Sequence, residues 1–504
     1  MTISRRAMIV GSTASVGCFN RNVGMPSRES SSVACDVRAF ARGFSGELLQ
    51  AGDAHYASMR FGHNARHDAS GASPFLIARC RNEHDVRETI AFARACRIRV
   101  VARSGGHSYA GYSNTSGILI DLSLMNAIGV ESSAVTIGAG ALLVDVYDTL
   151  KNHGVSIPGG SCPSVGIAGL TLGGGMGVVG RKYGLTCDRL RAATLVTAEG
   201  RLITCNTTHN SDLYWALRGG GGGNFGVVTQ LVFEPYRLSE LTTFRYDFLW
   251  KHAAEVFAAW QQWGPLAPDD VWSAFRLDAN GKVGELPEVE FAGACVGSES
   301  DLKLHLSAFF DRIKTEPRSS KHQSFAPRDI VKGIADCDEK TVPQCHKSDR
   351  APEGQLKRNA FVATSDFFDR VLPESAMHAL LSNVAQRQAS GRVGMVLLDA
   401  LGGAINRVLP HETAFVHRND RFSAQYLAEF PEETHEAVLG EASDWVREIR
   451  ATMKPWSSGR AYQNYIDPRL VDWKAAYYAG NAERLEATRR KWDPERFFGF
   501  AQGV

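Results

Sequence analysis

Two side chains that can act as nucleophiles stand on glycine bends. His107 follows a glycine pair in Arg103-Ser104-Gly105-Gly106-His107-Ser108, and Cys162 closes Gly159-Gly160-Ser161-Cys162. Glycine lets the main chain take positive φ and approach another group closely, so a reactive side chain on such a bend is aimed at something. An imidazole and a thiolate, 55 positions apart, could converge on one flat, electrophilic ring and bond to it. An isoalloxazine is such a ring. Taken singly, each residue reads more simply as a buried structural histidine and a packed cysteine.

Glycine is concentrated around them. Seventeen of 49 glycines fall between positions 159 and 226, in PGGSCPSVGIAG, LGGGMGVVG and RGGGGGNFG. That density is costly unless main chain must crowd a ligand, and the strand and helix patterns between clusters exclude a flexible linker. Gly175, Gly177 and Gly180 match G-x-G-x-x-G, as do Gly221, Gly223 and Gly226. That fingerprint must follow a strand, open a helix and precede an acid by about 20 residues. Residues 163–173 do not read as a strand and Glu199 falls in a hairpin turn, so the nicotinamide reading fails. No Gly-Lys-Ser/Thr follows either cluster, so neither is a Walker loop. What remains is backbone N–H groups turned towards an anion such as a pyrophosphate, each charge-assisted bond contributing about 1.5–3 kcal/mol.

The elements that carry these bends are readable. Residues 82–98 have helical spacing behind an Asn82 start signal, and 99–102 is a short buried strand running into the first bend. Runs at 117–122 and 134–138 read as strands, 142–153 as a helix, and 192–205 as a hairpin turning at Glu199-Gly200. From about 239 the texture changes to alternating stretches such as TTFRYDFLW and VGMVLLDALGGAI, with helical runs such as ESAMHALLSNVAQRQ between them. Those patterns predict antiparallel strands and helices in a second unit.

Composition narrows the function classes. The chain has 504 residues, 44% hydrophobic and 22% charged, with a formal net charge of +2. That allows two to four domains and gives no basic stripe for nucleic acid. No run of 18 apolar residues suggests a membrane span. Arg5 and Arg6 precede a short apolar stretch, and Ser32-Val33-Ala34 resembles a cleavage site. Residues 1–34 therefore read as a twin-arginine export leader, placing the protein in the periplasm or outside the cell. The simpler alternative is a basic, disordered tail on a cytoplasmic protein. Among ten cysteines no pair has C-x-x-C spacing. Cys337 and Cys345 bracket a polar loop and read as free thiols that could pair after export. His63 and His67 are spaced like helical metal ligands, yet no carboxylate or cysteine accompanies them, so no metal is expected.

RSGGHSYAGYS, GGSCPSVGIAGLTLGGGMG, YGLTCDRL, RGGGGGNFGVVT and AYQNYID, in that order, resemble the berberine bridge enzyme-like flavoproteins of the vanillyl-alcohol oxidase type, over about 70–504. The resemblance implies an α+β fold with a PCMH-type FAD-binding domain at 35–238. A substrate domain at 239–455 would carry an antiparallel sheet covered by helices, and 456–504 would return to complete the FAD domain and active site. It implies an FAD bonded through its 8α-methyl group to His107 and through C6 to Cys162. Further cofactor contacts would be Arg103, Ser104, Gly105, Gly106 and Ser108 in the first bend. Gly160, Val165, Gly166 and Gly169 would follow in the second, then Gly173, Gly174, Gly175 and Gly177. Gly223, Asn224, Phe225, Gly226, Val227 and Asn464 complete the set.

The same resemblance takes the base from Tyr-x-Asn-Tyr, Tyr465 with Tyr462 as alternative, assisted by Asp399. The implied reaction passes a hydride to flavin N5 from an alcohol or amine carbon of a small metabolite, sugar or glycosylated natural product. Molecular oxygen becomes hydrogen peroxide, with Val165 at the position that gates oxygen. Leu170 replaces a His found in many members and Met176 a common Tyr, so those contacts do not carry over. The alternatives are a dehydrogenase of the same fold using another acceptor, and a flavin-carrying binding protein with little turnover.

Overall fold

Asn82 begins the first long helix, as its type requires: its side chain accepts from Asp85 N at 3.0 Å and the helix Glu83–Cys96 follows. The computed structural model describes residues 35–68, 72–335, 337, 340–348, 351–431 and 436–504; the leader expected over 1–34 lies outside them. After the helix the chain enters strand Val100–Arg103, which delivers it into the His107 bend. That strand and Leu76–Arg79 flank Ile118–Asp121 in parallel, with Glu47–Leu49 antiparallel at the edge. All four residues of Ile118–Asp121 are buried, as a central parallel strand demands.

A second sheet has five antiparallel strands, in the order Ile128–Val130, Val135–Gly138, Val227–Phe233, Leu190–Val196, Leu202–Asn206. Its last two strands form the hairpin read at Glu199-Gly200, where Gly200 takes a φ of 76°.

The third sheet is the largest. Its seven antiparallel strands run Ser319–Phe325, Leu241–Phe248, Glu288–Cys295, Val271–Asn280, Val393–Ala400, Phe422–Phe430, Ala360–Phe368. Strand side chains alternate between faces. One face buries Phe275, Phe291, Val396 and Tyr426 under helices that include Ala253–Trp263, Glu374–Ala389 and Glu436–Met453. The other turns Arg276, Met395, Leu397, Gln425 and Leu427 towards the glycine loops.

From 456 onward the chain returns to the first core, where Tyr477, Trp492 and Phe498 pack among residues of the first two sheets. The seam between the glycine-rich half and the large sheet is pinned by buried Arg181. Its guanidinium donates to the carbonyls of Val271 (2.7 Å), Pro265 (3.0 Å), Leu401 and Ala267.

Cys337 and Cys345, read from sequence as free thiols, are bonded to each other, and Cys35 is bonded to Cys96. The turn at Pro343–Cys345 brings the Cα atoms of Cys337 and Cys345 to 6.2 Å, within bonding range. Among the described residues, no helix is long and apolar enough to cross a membrane.

Candidate active site

The two glycine bends are pressed together. A Cβ on Gly105 would stand 2.2 Å from Gly166 N, and one on Gly166 would stand 2.1 Å from Ser104 Oγ. Only glycine permits that approach, and it places His107 and Cys162 on one cavity of about 620 Å³. His107 Nε2 lies 2.9 Å from Ser164 Oγ, and its ring stacks on His63 with centroids 3.9 Å apart. Burial pushes the His107 pKa well below the ordinary value, and neighbouring His63 and Lys347 push it further, so the ring is neutral and nucleophilic.

Most of the sequence-derived cofactor residues line this cavity. Ser104, Gly105, Gly106 and Ser108 do so from the first bend, and Gly160, Val165, Gly166 and Gly169 from the second. Gly223, Gly226 and Asn464 join them, with Leu170 and Met176.

Eight others do not line it. Arg103 is buried in an ion pair with Asp121 (2.9 Å). Gly173, Gly174, Gly175 and Gly177 are glycines because protein crowds them. A Cβ would stand 2.0 Å from Asn464 Oδ1, 2.6 Å from Phe415, 2.2 Å from Thr186 Oγ1 and 1.7 Å from Gly159 O, respectively. Asn224 donates to Gly220 O and accepts from Val504 N. Phe225 is core, and Val227 begins a strand. The dinucleotide fingerprint fails structurally as well, since Gly175 follows the helix Ile167–Leu172 and Gly226 feeds that strand.

The lining fits an FAD. A Cβ on Gly169 would meet no atom within 4 Å, and one on Gly222 only Leu172 at 3.8 Å, so this main chain lies bare to the cavity. Bare glycine backbone suits a pyrophosphate. The rings of Tyr112 and Phe500, 5.2 Å apart, add aromatic surface.

Tyr462 and Tyr465 come from one turn rather than a strand, closed by Tyr465 N donating to Tyr462 O at 2.9 Å. Their hydroxyls differ. Tyr462 Oη accepts from Gly175 N (3.0 Å), Met176 N (3.4 Å) and Asn464 Nδ2 (3.0 Å), and burial pushes its pKa up to about 12. Tyr465 Oη has no hydrogen bond to a described residue and its ring lines the cavity. Burial raises its pKa well above the ordinary value, with Tyr109 and Asp399 adding to the rise. Asp399 lies on strand Val393–Ala400, and burial pushes its carboxyl up to about 7.

Sequence reasoning missed Tyr109, Gln425 and the placement of His63. Tyr109 stacks on Tyr465, and its hydroxyl accepts from Gln425 Nε2 at 2.8 Å. Its signal was its place two residues beyond His107. His63 and His67 part company: His67 Nε2 meets Tyr109 O at 3.0 Å while His63 lies on His107. No cluster of metal-ligating side chains occurs among the described residues.

A family model described as an FAD binding domain matches residues 74–206, and one described as berberine and berberine like matches 461–504. An uncharacterised FAD-linked oxidoreductase of Bacillus subtilis, YgaK, is 32% identical across 86% of this chain and 91% of its own length. A monolignol oxidoreductase of Arabidopsis thaliana is 28% identical across 86% of this chain and 84% of its own. Among solved structures, berberine bridge enzyme-like 1 of Physcomitrella patens superposes with a TM-score of 0.83 at 27% identity. That match covers 93% of this chain and 98% of the other, and the shared architecture is the α+β PCMH-type fold.

Proposed function

The chain belongs to the berberine bridge enzyme-like FAD-linked oxidoreductases, and from that premise we propose that it is an oxidase whose FAD is bonded to both His107 and Cys162. One observation carries the reading: two bends that only glycine allows to touch aim both nucleophiles into one cavity. Each attachment removes one hydrogen from the side chain and one from the flavin carbon. The two electrons and two protons released reduce one dioxygen to hydrogen peroxide. Tethering removes cofactor dissociation, which leaves the cleft free to stay open to bulky substrates.

The substrate is an alcohol or amine carbon of a small metabolite, sugar or glycosylated natural product, and the relative named for monolignols supports an alcohol. The flavin, when bound, accepts the hydride at N5 and passes two electrons to dioxygen. Tyr465 Oη takes the hydroxyl proton. Since burial keeps that phenol protonated, it gives up its own proton as it gains the substrate's, and Asp399, near enough to act on Tyr465 electrostatically but not bonded to it, receives that proton by way of water. Tyr109 and Tyr462 hold the Tyr465 ring between a stack and an edge contact. Val165 is small enough to leave oxygen a path along the cavity wall.

Acid precipitation tests the attachment: yellow colour should stay in the pellet. It should survive in His107→Ala and in Cys162→Ala, and leave only in the double variant. Peroxide formed in equal amount to product identifies dioxygen as acceptor; turnover only with an added dye would make the enzyme a dehydrogenase.

Export through the twin-arginine route belongs to the same reading, because that route carries proteins already folded around a cofactor. The bonds Cys35–Cys96 and Cys337–Cys345 support it, as such bonds persist in oxidising compartments. Replacing Arg5 and Arg6 by Lys should retain the protein in the cytoplasm.

A further inference from the structure

We propose that His63 is a positioning residue for cofactor attachment at His107, its ring holding the His107 imidazole in the plane from which that imidazole bonds to the flavin. The inference rests on the covalent reading of His107 given above.

The two rings lie face to face, centroids 3.9 Å apart and planes 12° apart. His63 is tied to the same bend, since its backbone N–H donates to Gly106 O at 2.9 Å. At the edge of the His107 ring, Ser164 Oγ meets Nε2 at 2.9 Å. The stack stops tilting and the hydroxyl stops spinning, so the ring keeps one orientation. His63 Nδ1 is buried without a hydrogen-bond partner. Leaving such an atom unpaired has a cost that phenylalanine would avoid, so packing alone does not explain an imidazole here.

What an imidazole adds is electrostatic. Two stacked rings cannot both be cationic, and the charged groups facing them are Lys347 and Arg358, the latter itself paired with Asp68 at 2.6 Å. Burial, Lys347 and Arg358 together push His63 down to about 4. His107 is kept uncharged first by its own burial and then by His63 and Lys347, with a lone pair available at mildly acid as well as neutral pH.

The test uses the full-length Cys162→Ala protein, where His107 is the sole tether, loaded with FAD at about pH 6 and about pH 8. Flavin retained through acid precipitation is measured, and the His107 peptide is weighed. Adding His63→Ala or His63→Gln should lower the retained fraction at least tenfold at the lower pH and less at the higher, because without the stacked ring His107 can tilt towards water, which weakens the burial that chiefly keeps it uncharged. His63→Phe keeps the stack but lacks the ring nitrogens, so it should retain most of the flavin at about pH 8 and less at about pH 6. His63→Gln and His63→Phe, close in volume, decide the matter should the alanine variant fail to fold. Retention by the glutamine variant equal to that of the parent at both pH values overturns the inference. Loss of all flavin from Cys162→Ala alone instead overturns the covalent reading of His107.

Discussion

Tyr465 lies flat against Tyr109, with ring centroids 5.3 Å apart and planes 13° apart, while Tyr462 meets it edge-on at 4.9 Å. Three phenols thus share one wall of the cavity, and their hydroxyls divide the work. Tyr462 spends its oxygen on three donors and Tyr109 accepts from Gln425, while Tyr465 lines the cavity with no hydrogen bond from its hydroxyl to a described residue.

Tyr465→Phe should therefore lower kcat by about 10²–10⁴-fold, the usual worth of a positioned acid–base group, with flavin content and melting temperature unchanged. Tyr462→Phe should do the opposite. Removing the acceptor of three hydrogen bonds strands buried N–H groups at roughly 1–3 kcal/mol, so the glycine loop at 173–177 loosens and the melting temperature falls. Thermal scans beside steady-state rates separate the two.

As the proposed proton acceptor, Asp399 should give the reaction its pH dependence. Its carboxyl is raised to about 7 by burial, and a proton acceptor must be ionised to work, so kcat/KM should climb as pH rises through about 7. Asp399→Asn should remove that acid limb and lower the plateau. Stability runs the other way. A carboxyl with a raised folded pKa favours the protonated form, so its contribution is fully present below the unfolded value near 4. That contribution erodes as pH rises through about 7, and the Asn variant should lose less stability across that window by thermal denaturation.

Glycines of the two kinds should respond differently. Gly169 borders open cavity, so Gly169→Leu should fold normally and carry less flavin, read as the ratio of visible to ultraviolet absorbance. Gly174 has a φ of 118° and would push a Cβ to 2.6 Å from Phe415. Gly174→Ala should cost about 1–3 kcal/mol of stability, measured by denaturant titration.

Reducing Cys337–Cys345, whose partners are 8 residues apart, should cost about 2–3 kcal/mol by loop entropy. Directly after it come His346, which lies 3.0 Å from Asp145, and Lys347 beside the His63–His107 pair. Dithiothreitol should accordingly speed proteolysis between 337 and 357 before the rest of the chain is cut.

Local chemistry was legible in the sequence wherever it was local in the chain. Asn82 announced its helix, Gly200 its hairpin, and the bends at Gly105-Gly106 and Gly159-Gly160 announced two side chains that line one cavity. Contacts across the chain were not legible. Nothing near Tyr462 shows that its hydroxyl will meet Gly175, 287 residues away, nor that Tyr109 will meet Gln425, 316 away. Glycine density says that something must come close without saying whether it is ligand or protein. That is why Gly173, Gly174, Gly175 and Gly177 read as a cofactor cradle and proved to be seats for Asn464, Phe415, Thr186 and Gly159. His63 and His67 have the spacing of ligands on a helix, but the helix that spacing presumes is absent; a short 3-10 turn at Ala65–His67 sends them apart.

The rivet at Arg181 bears on how the enzyme is entered. Pulling the glycine-rich half from the large sheet would expose a cation whose four acceptors all lie across the divide, so breathing along that line is penalised before it begins. Guests must then be sorted by what can slip in beside a fixed doorway, and heating should dismantle both halves in one step.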